Sequence, residues 1–327
     1  MSIRFALASF AVAAVLLVGT AACQSSDHSA PTSTAPAPEA LPDPSVVSSA
    51  TSEPTASTCN LVGSLRPQDP LPEPGRMRPG STMAGIAERG RLVVAVGLDT
   101  YLISSRNPQT GQLEGFDIDI AGDLAEAIFG DRERVEYRQL DLPGRLAAVE
   151  SREVDLMVGT TTITCRRQAQ VEFSTVYYQA GQRVLVNRGS GVTDLDGLAS
   201  KRVCASRGST SLQKVLANQP GPVPVGEPSV TDCLVMLQLG EVDAVSTDDA
   251  LLAGLAAQDP RTEIVGPRFS TEPYGVAINK AAPDLVRFVN AVLERRVEDG
   301  RWQKSYQDWL MRELGPLPSP PEPQYRD

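Results

Sequence analysis

Residues 92–158 read LVVAVGLDTYLISSRNPQTGQLEGFDIDIAGDLAEAIFGDRERVEYRQLDLPGRLAAVESREVDLMV. Leu92 to Val96 is an unbroken apolar, largely β-branched run, and Val135 to Gln139 and Leu156 to Val158 are two further short runs that read as strands. Between them, Ile118 to Phe129 and Gly144 to Ser151 carry helical patterns. This βαβα order predicts a parallel sheet wound on both faces, with ligands at the carboxyl ends of the strands. Outward from this stretch the pattern repeats. After Gln182, Val184 to Asn187 and Val203 to Ala205 read as strands, Ser209 to Ala217 and Cys233 to Leu239 as helices, and Ala244 to Ser246 as a strand. Tyr274 to Asn279 then reads as a strand returning to the first series, closed by a helix from Pro283 to Asp299 that has proline at its start. The predicted fold is α/β with two lobes, each a doubly wound, mostly parallel sheet. Residues 59–185 with 275–315 form lobe 1, 186–274 form lobe 2, and 316–327 form a C-terminal tail. The two crossings between lobes make a hinge.

The N-terminus is of another kind. Arg4 precedes the apolar run Phe5 to Val18, which leads into Gly19-Thr20-Ala21-Ala22-Cys23, the pattern of a secretory signal over residues 1–22. The run is short of the about 20 apolar residues that span a bilayer. Its end resembles the lipobox of bacterial lipoproteins, with Thr20 where Leu or Val is usual. The resemblance implies cleavage before Cys23, acylation of its thiol with diacylglycerol, and a protein lipid-anchored on the extracytoplasmic face of the cell membrane. From Cys23 to residue 58 the chain is rich in Ser, Thr, Ala and Pro, with no periodicity that could bury a core. It reads as a disordered tether with a reach of roughly 30 Å.

The remaining length exceeds one ordinary hydrophobic core, which agrees with two domains. A net charge of −10 argues against a nucleic-acid surface, because no basic cluster exists to release counterions from phosphates. A small-molecule partner and a monomer are expected. Cys59, Cys165, Cys204 and Cys233 remain after Cys23, an even count that in an exported chain reads as disulfides. Three pairings are open. Cys204 and Cys233 lie in one candidate lobe, and Cys59 would then join Cys165. The spacings match no zinc pattern and the only histidine, His28, sits in the tether, so no metal and no cofactor are expected.

The motifs Gly115-Phe116-Asp117-Ile118-Asp119-Ile120, Thr160-Thr161-Thr162-Ile163-Thr164 with Arg167, Phe173-Ser174, Gly208-Ser209-Thr210-Ser211 and Gly240 to Leu252 together resemble the polar-amino-acid solute-binding proteins of ABC transporters, family 3. Within that family the chain looks like the glutamine/glutamate-binding lipoprotein type. The resemblance covers residues from about Gly80 to Leu310 and implies a periplasmic-binding-protein-like fold that captures an amino acid by hinge closure and hands it to an ABC permease. A sensor that signals to a membrane partner without transport is an alternative, and a dehydratase-type enzyme on the same fold a more distant one. No nucleophile, metal or cofactor motif supports an enzyme. Asp117 by itself reads as a helix cap.

An α-amino acid sets its own requirements. Its carboxylate wants a planar, bidentate donor, and Arg167 stands at the family's arginine position. By the same resemblance Thr162 and the backbone around Thr160 add donors, and the amides near Ser209 and Thr210 complete an anion site at a helix N-terminus. The ammonium wants a carboxylate, and Asp248 occupies the family position. Asp249 is its neighbour and competitor, expected to cap the helix that follows. For the ligand's side chain, Arg145 matches the position of an arginine in acidic-amino-acid binders, and a second cation suits a second carboxylate. Arg106 and Arg207 are further loop candidates. The family's aromatic positions hold Leu142 and, roughly, Tyr101. Glutamate and aspartate differ by one methylene, worth about 1 to 3 kcal/mol, so charge is more legible here than length.

Overall fold

The computed structural model describes residues 59–327 apart from Gln68 and Gln219. The expected signal, the lipidation at Cys23 and the tether lie outside the described residues. Among the described residues no helix is long and apolar enough to cross a membrane.

Leu92–Val96 pairs in parallel with Val135–Gln139 on one side and Leu156–Met157 on the other. Ala277–Ile278 inserts antiparallel between Leu156–Met157 and Glu172–Phe173, so that four of the five strands point one way. The second sheet repeats the plan. Val223–Glu227, Arg202–Ser206 and Ala244–Asp248 run parallel, and Gln182–Asn187 lies antiparallel between Ala244–Asp248 and Thr262–Val265. In each sheet the contrary strand is the one that enters the lobe from the hinge. The hinge itself is an antiparallel pair, Tyr178–Ala180 with Glu272–Tyr274.

Alternation along the strands fixes the layers. Leu92, Val94 and Val96 pack with Phe116, Ile120, Leu124, Leu285 and Val289 on one face, while Val93 and Ala95 pack with Ala148 and Val149 on the other. Lobe 2 is built the same way, with Leu185, Cys204 and Val245 facing one helical layer and Val184, Val203 and Ala244 facing Leu198 and Val215. Both disulfides form, Cys59 to Cys165 and Cys204 to Cys233, with Cα separations of 5.7 and 5.5 Å.

Three expectations shift. The helix Phe116–Phe129 is capped by Gly115 at φ 131°, where an added Cβ would stand 2.3 Å from the Ile103 carbonyl oxygen, so only glycine fits the cap. Asp117 is therefore no cap; it lies in the first turn, fully buried. The whole strand Gln182–Asn187 belongs to the second sheet, and Gln182 Nε2 donates to Ser246 Oγ within it, so lobe 2 begins by Gln182 rather than at 186. Finally, residues 316–327 return to lobe 1. Gln324–Tyr325 pairs in parallel with Gly63–Ser64, Asp327 accepts from the Arg66 amide at 2.7 Å, and Arg326 pairs with Glu172 at 2.6 Å.

Candidate functional site

A cavity of about 410 Å³ opens at the carboxyl ends of the strands of both sheets, within the range of small-ligand sites. Lobe 1 contributes Gly97, Asp99, Arg145, Thr160, Thr162 and Arg167, and lobe 2 contributes Ser209, Thr210, Thr247 and Asp248. The lobes meet around it. Thr231 Oγ1 donates to the Asp99 carbonyl at 2.8 Å, and Gly208 sits so close to Pro143 that an added Cβ would stand 3.2 Å from its Cγ.

Arg167 rides on the short helix Cys165–Gln170, whose N-cap Thr164 accepts from the Arg167 amide. Its guanidinium is buried. Nη1 donates to the Thr162 carbonyl at 2.6 Å, and Nη2 reaches across to the Gly208 carbonyl at 3.5 Å. Burial, with repulsion from Arg166, lowers its pKa to about 10, which leaves it cationic at neutral pH. Thr162 faces Tyr274 of the hinge in an isolated bridge flanked by bonds from Gly275 to Thr161 and from Ile163 to Pro273. Its own N–H therefore turns away from the hinge strand.

Asp248 ends the strand Ala244–Asp248 and is buried. One carboxylate oxygen accepts from Tyr274 Oη at 2.6 Å, and the other, Oδ1, has no partner. Burial pushes this carboxyl up to about 7, and the Glu272 carboxylate adds to the shift. Asp249 turns elsewhere. It is not the cap expected, because the helix Asp249–Gln258 starts at Asp249 itself and its N-cap position is Asp248; the Asp249 carboxylate accepts from the Ala250 amide at 2.9 Å and pairs with Arg268.

Arg145 extends from the helix Leu142–Glu150 into the same cavity, where Nη1 donates to the Gly159 carbonyl at 3.2 Å and the buried Nε has no partner. Burial lowers its pKa, and Asp117 and Asp99 oppose the shift. Asp99 shares this wall. A Cβ added at Gly97 would lie 3.4 Å from Asp99 Oδ1 and 3.6 Å from Arg145 Nη1.

Other expected residues fall differently. Thr160 lines the cavity, but its N–H points to Asp117 at 2.9 Å rather than toward a ligand. The Ser209 hydroxyl is used as helix cap, and Thr210 Oγ1 donates to Glu272 at 3.0 Å. Tyr101 is 39% exposed and Arg106, bonded to the Gly111 carbonyl, sits in an outer hairpin; neither lines the cavity. Arg207 reaches the Gly226 carbonyl and also lies outside it. Asp99, Tyr274, Glu272 and Asp117 were not among the expected site residues. Asp99 had a signal, since it lies three residues past the carboxyl end of the strand Leu92–Val96; the other three are brought near only by folding.

Residues 92–312 match the family model of the bacterial extracellular solute-binding proteins, family 3. The chain is 34% identical over 230 residues to an ABC transporter glutamine-binding protein of Bacillus subtilis, covering 70% of this chain and 84% of that protein. It is 30% identical over 251 residues to a glutamate-binding protein of Corynebacterium efficiens, covering 72% and 83%. Among solved structures, an ancestral arginine-binding protein bound to glutamine superposes with a TM-score of 0.63 at 33% identity, covering 70% of this chain and 99% of that one.

Proposed function

The chain belongs to the bacterial extracellular solute-binding proteins of family 3, whose members compared above are binding proteins and not enzymes, and we propose that it captures an acidic amino acid or its amide and delivers it to an ABC permease. The observation that carries the reading is a pair of buried, unpartnered atoms of opposite demand in one cavity: Asp248 Oδ1 on lobe 2 lacks a donor, and Arg145 Nε on lobe 1 lacks an acceptor. An amino acid with a polar side chain satisfies both. Its ammonium meets Asp248, its α-carboxylate meets Arg167 and the Thr162 N–H, and its side-chain oxygen meets Arg145. A second carboxylate on the ligand supplies charge as well as an acceptor beside that cation, which favours glutamate and aspartate. A neutral amide has one observation in its favour, the Asp99 carboxylate on the same wall, which can accept from an amide N–H. The lipid anchor at Cys23, an amphiphilic mooring for delivery at the membrane, forms part of the same proposal.

Calorimetry with glutamate, aspartate, glutamine and asparagine tests it. Arg167→Ala is expected to abolish binding of all four, because a buried carboxylate without its bidentate partner costs about 3 to 5 kcal/mol. Arg145→Gln is expected to weaken the acidic pair more than the amides. Unchanged affinity in Arg167→Ala would sink the carboxylate assignment, and tighter binding of amides by the wild type would remove the case for a second charge.

A further inference from the structure

The peptide unit between Gly159 and Thr160 is gripped at both ends. Its carbonyl accepts from Arg145 Nη1 at 3.2 Å, and from Thr161 Oγ1 at 3.0 Å. Its N–H donates to Asp117 Oδ2 at 2.9 Å and, in a shared bond, to Tyr177 Oη at 3.2 Å. Tyr177 Oη in turn donates to Asp117 Oδ1 at 3.0 Å. A cation thus sits at the negative end of the peptide dipole and a carboxyl group that accepts through both oxygens at its positive end, an arrangement in which, once Asp117 is ionised, each charge strengthens the bond made by the other. The grip has a job to do. Thr160 is held at φ +46°, a left-handed conformation that costs a β-branched residue about 1 to 3 kcal/mol and persists only where its surroundings impose it. Space for the clamp exists because residue 159 is glycine: an added Cβ would stand 2.3 Å from Arg145 Nη1.

We propose that Asp117 is a positioning residue for the ligand's α-carboxylate. With Arg145 it clamps the Gly159–Thr160 peptide, which fixes the loop through Thr162 and so aims the Thr162 N–H and the Arg167 guanidinium, itself bonded to the Thr162 carbonyl at 2.6 Å. The inference rests on the reading of the cavity as an amino-acid site. It assigns Asp117, which touches no cavity space of its own, and it gives Arg145 a second duty besides facing the ligand's side chain. Because the clamp acts on the end of the site shared by every α-amino acid, its loss weakens all ligands alike and leaves their ranking as it was.

The full chain is compared as wild type, Asp117→Asn, Asp117→Ala and Tyr177→Phe, each first shown to unfold cooperatively. Hydrogen exchange of ligand-free protein reads the clamp directly. Protection of the segment 159–162 is expected to fall roughly tenfold or more in Asp117→Ala and less in Asp117→Asn, which keeps an acceptor but loses the charge, with Tyr177→Phe also milder. Calorimetry is expected to show the dissociation constant rising by a common factor, roughly tenfold in Asp117→Ala, for glutamate, aspartate, glutamine and asparagine. Arg145→Gln, by contrast, is expected to reorder the four. Equal protection in wild type and Asp117→Ala rejects the clamp, and a change of ranking in Asp117→Ala rejects the positioning role. If Asp117→Ala does not fold, Asp117→Asn and Tyr177→Phe carry both measurements. If the wild type binds none of the four amino acids, the functional reading fails, and the exchange experiment alone decides whether the clamp exists.

Discussion

At the scale of single residues, two buried carboxyl groups make this protein sensitive to pH in opposite senses with and without ligand. Asp117 and Asp248 each stand at about 7 in place of 3.8, because burial favours the protonated form. A carboxyl whose folded pKa is raised contributes stability that is full below its unfolded value and is lost as the pH rises through the folded one. The ligand-free protein is therefore expected to melt at a lower temperature at pH 8 than at pH 5. The proposed contact with a ligand ammonium requires Asp248 as carboxylate, so binding is expected to release a proton from it and affinity to rise between about pH 5 and 7. Melting curves and calorimetry across that window check both slopes; a flat affinity would mean that Asp248 does not meet the ammonium. How far the sequence reaches is visible in the same residues. Arg167 and Asp248 are legible through the family resemblance of the motifs that hold them, and both line the cavity. Asp117 is not, because its proposed role depends on a helix that starts at Phe116, two residues before the periodic pattern does, and on a loop 43 residues away.

At the scale of elements, the helix Cys165–Gln170 carries Arg167, the proposed α-carboxylate contact, on six residues, a length that is unstable in isolation. Its apolar pattern is too brief to read as a helix. What holds it is tertiary. Cys165, two residues before Arg167, is bonded to Cys59, and Gln168 Nε2 donates to the Asn60 carbonyl at 2.8 Å. The other disulfide joins the strand Arg202–Ser206 to the helix Val230–Leu239 inside the lobe 2 core. Removing either bridge is expected to cost about 2 to 5 kcal/mol of stability. Replacing Cys59 and Cys165 by serine is also expected to weaken ligand binding severalfold at a temperature where the protein remains folded, and replacing Cys204 and Cys233 to weaken it less. Paired measurements of Tm and Kd on the two double variants separate these effects. Equal affinities would show that the short helix keeps its place without its bridge.

At the scale of the whole molecule, the contrary strands explain why two lobes and a hinge arise from one α/β pattern: each time the chain crosses between lobes it enters the new sheet against the prevailing direction. Sequence periodicity alone cannot reveal that, since strand direction leaves no mark on composition. Besides Gly208, the lobes approach each other closely at a second glycine. Gly254 lies in the middle of the helix Asp249–Gln258, where alanine is the better helix former by about 1 kcal/mol. Yet a Cβ there would stand 2.1 Å from the backbone oxygen of Tyr101 in lobe 1. Gly254→Ala is therefore expected to leave lobe 2 at least as stable while keeping the Tyr101 segment from seating, and with it the nearby Thr231 bond to the Asp99 carbonyl. Apparent affinity falls with the fraction of molecules able to close, so the dissociation constant is expected to rise tenfold or more, through a faster off-rate at a nearly unchanged on-rate. Stopped-flow binding gives the two rates. Small-angle scattering at saturating ligand is expected to show a smaller radius of gyration for the wild type than for the variant. Identical scattering and identical rates would mean that the loop yields to the added methyl group, and that closure does not depend on the contact at Gly254.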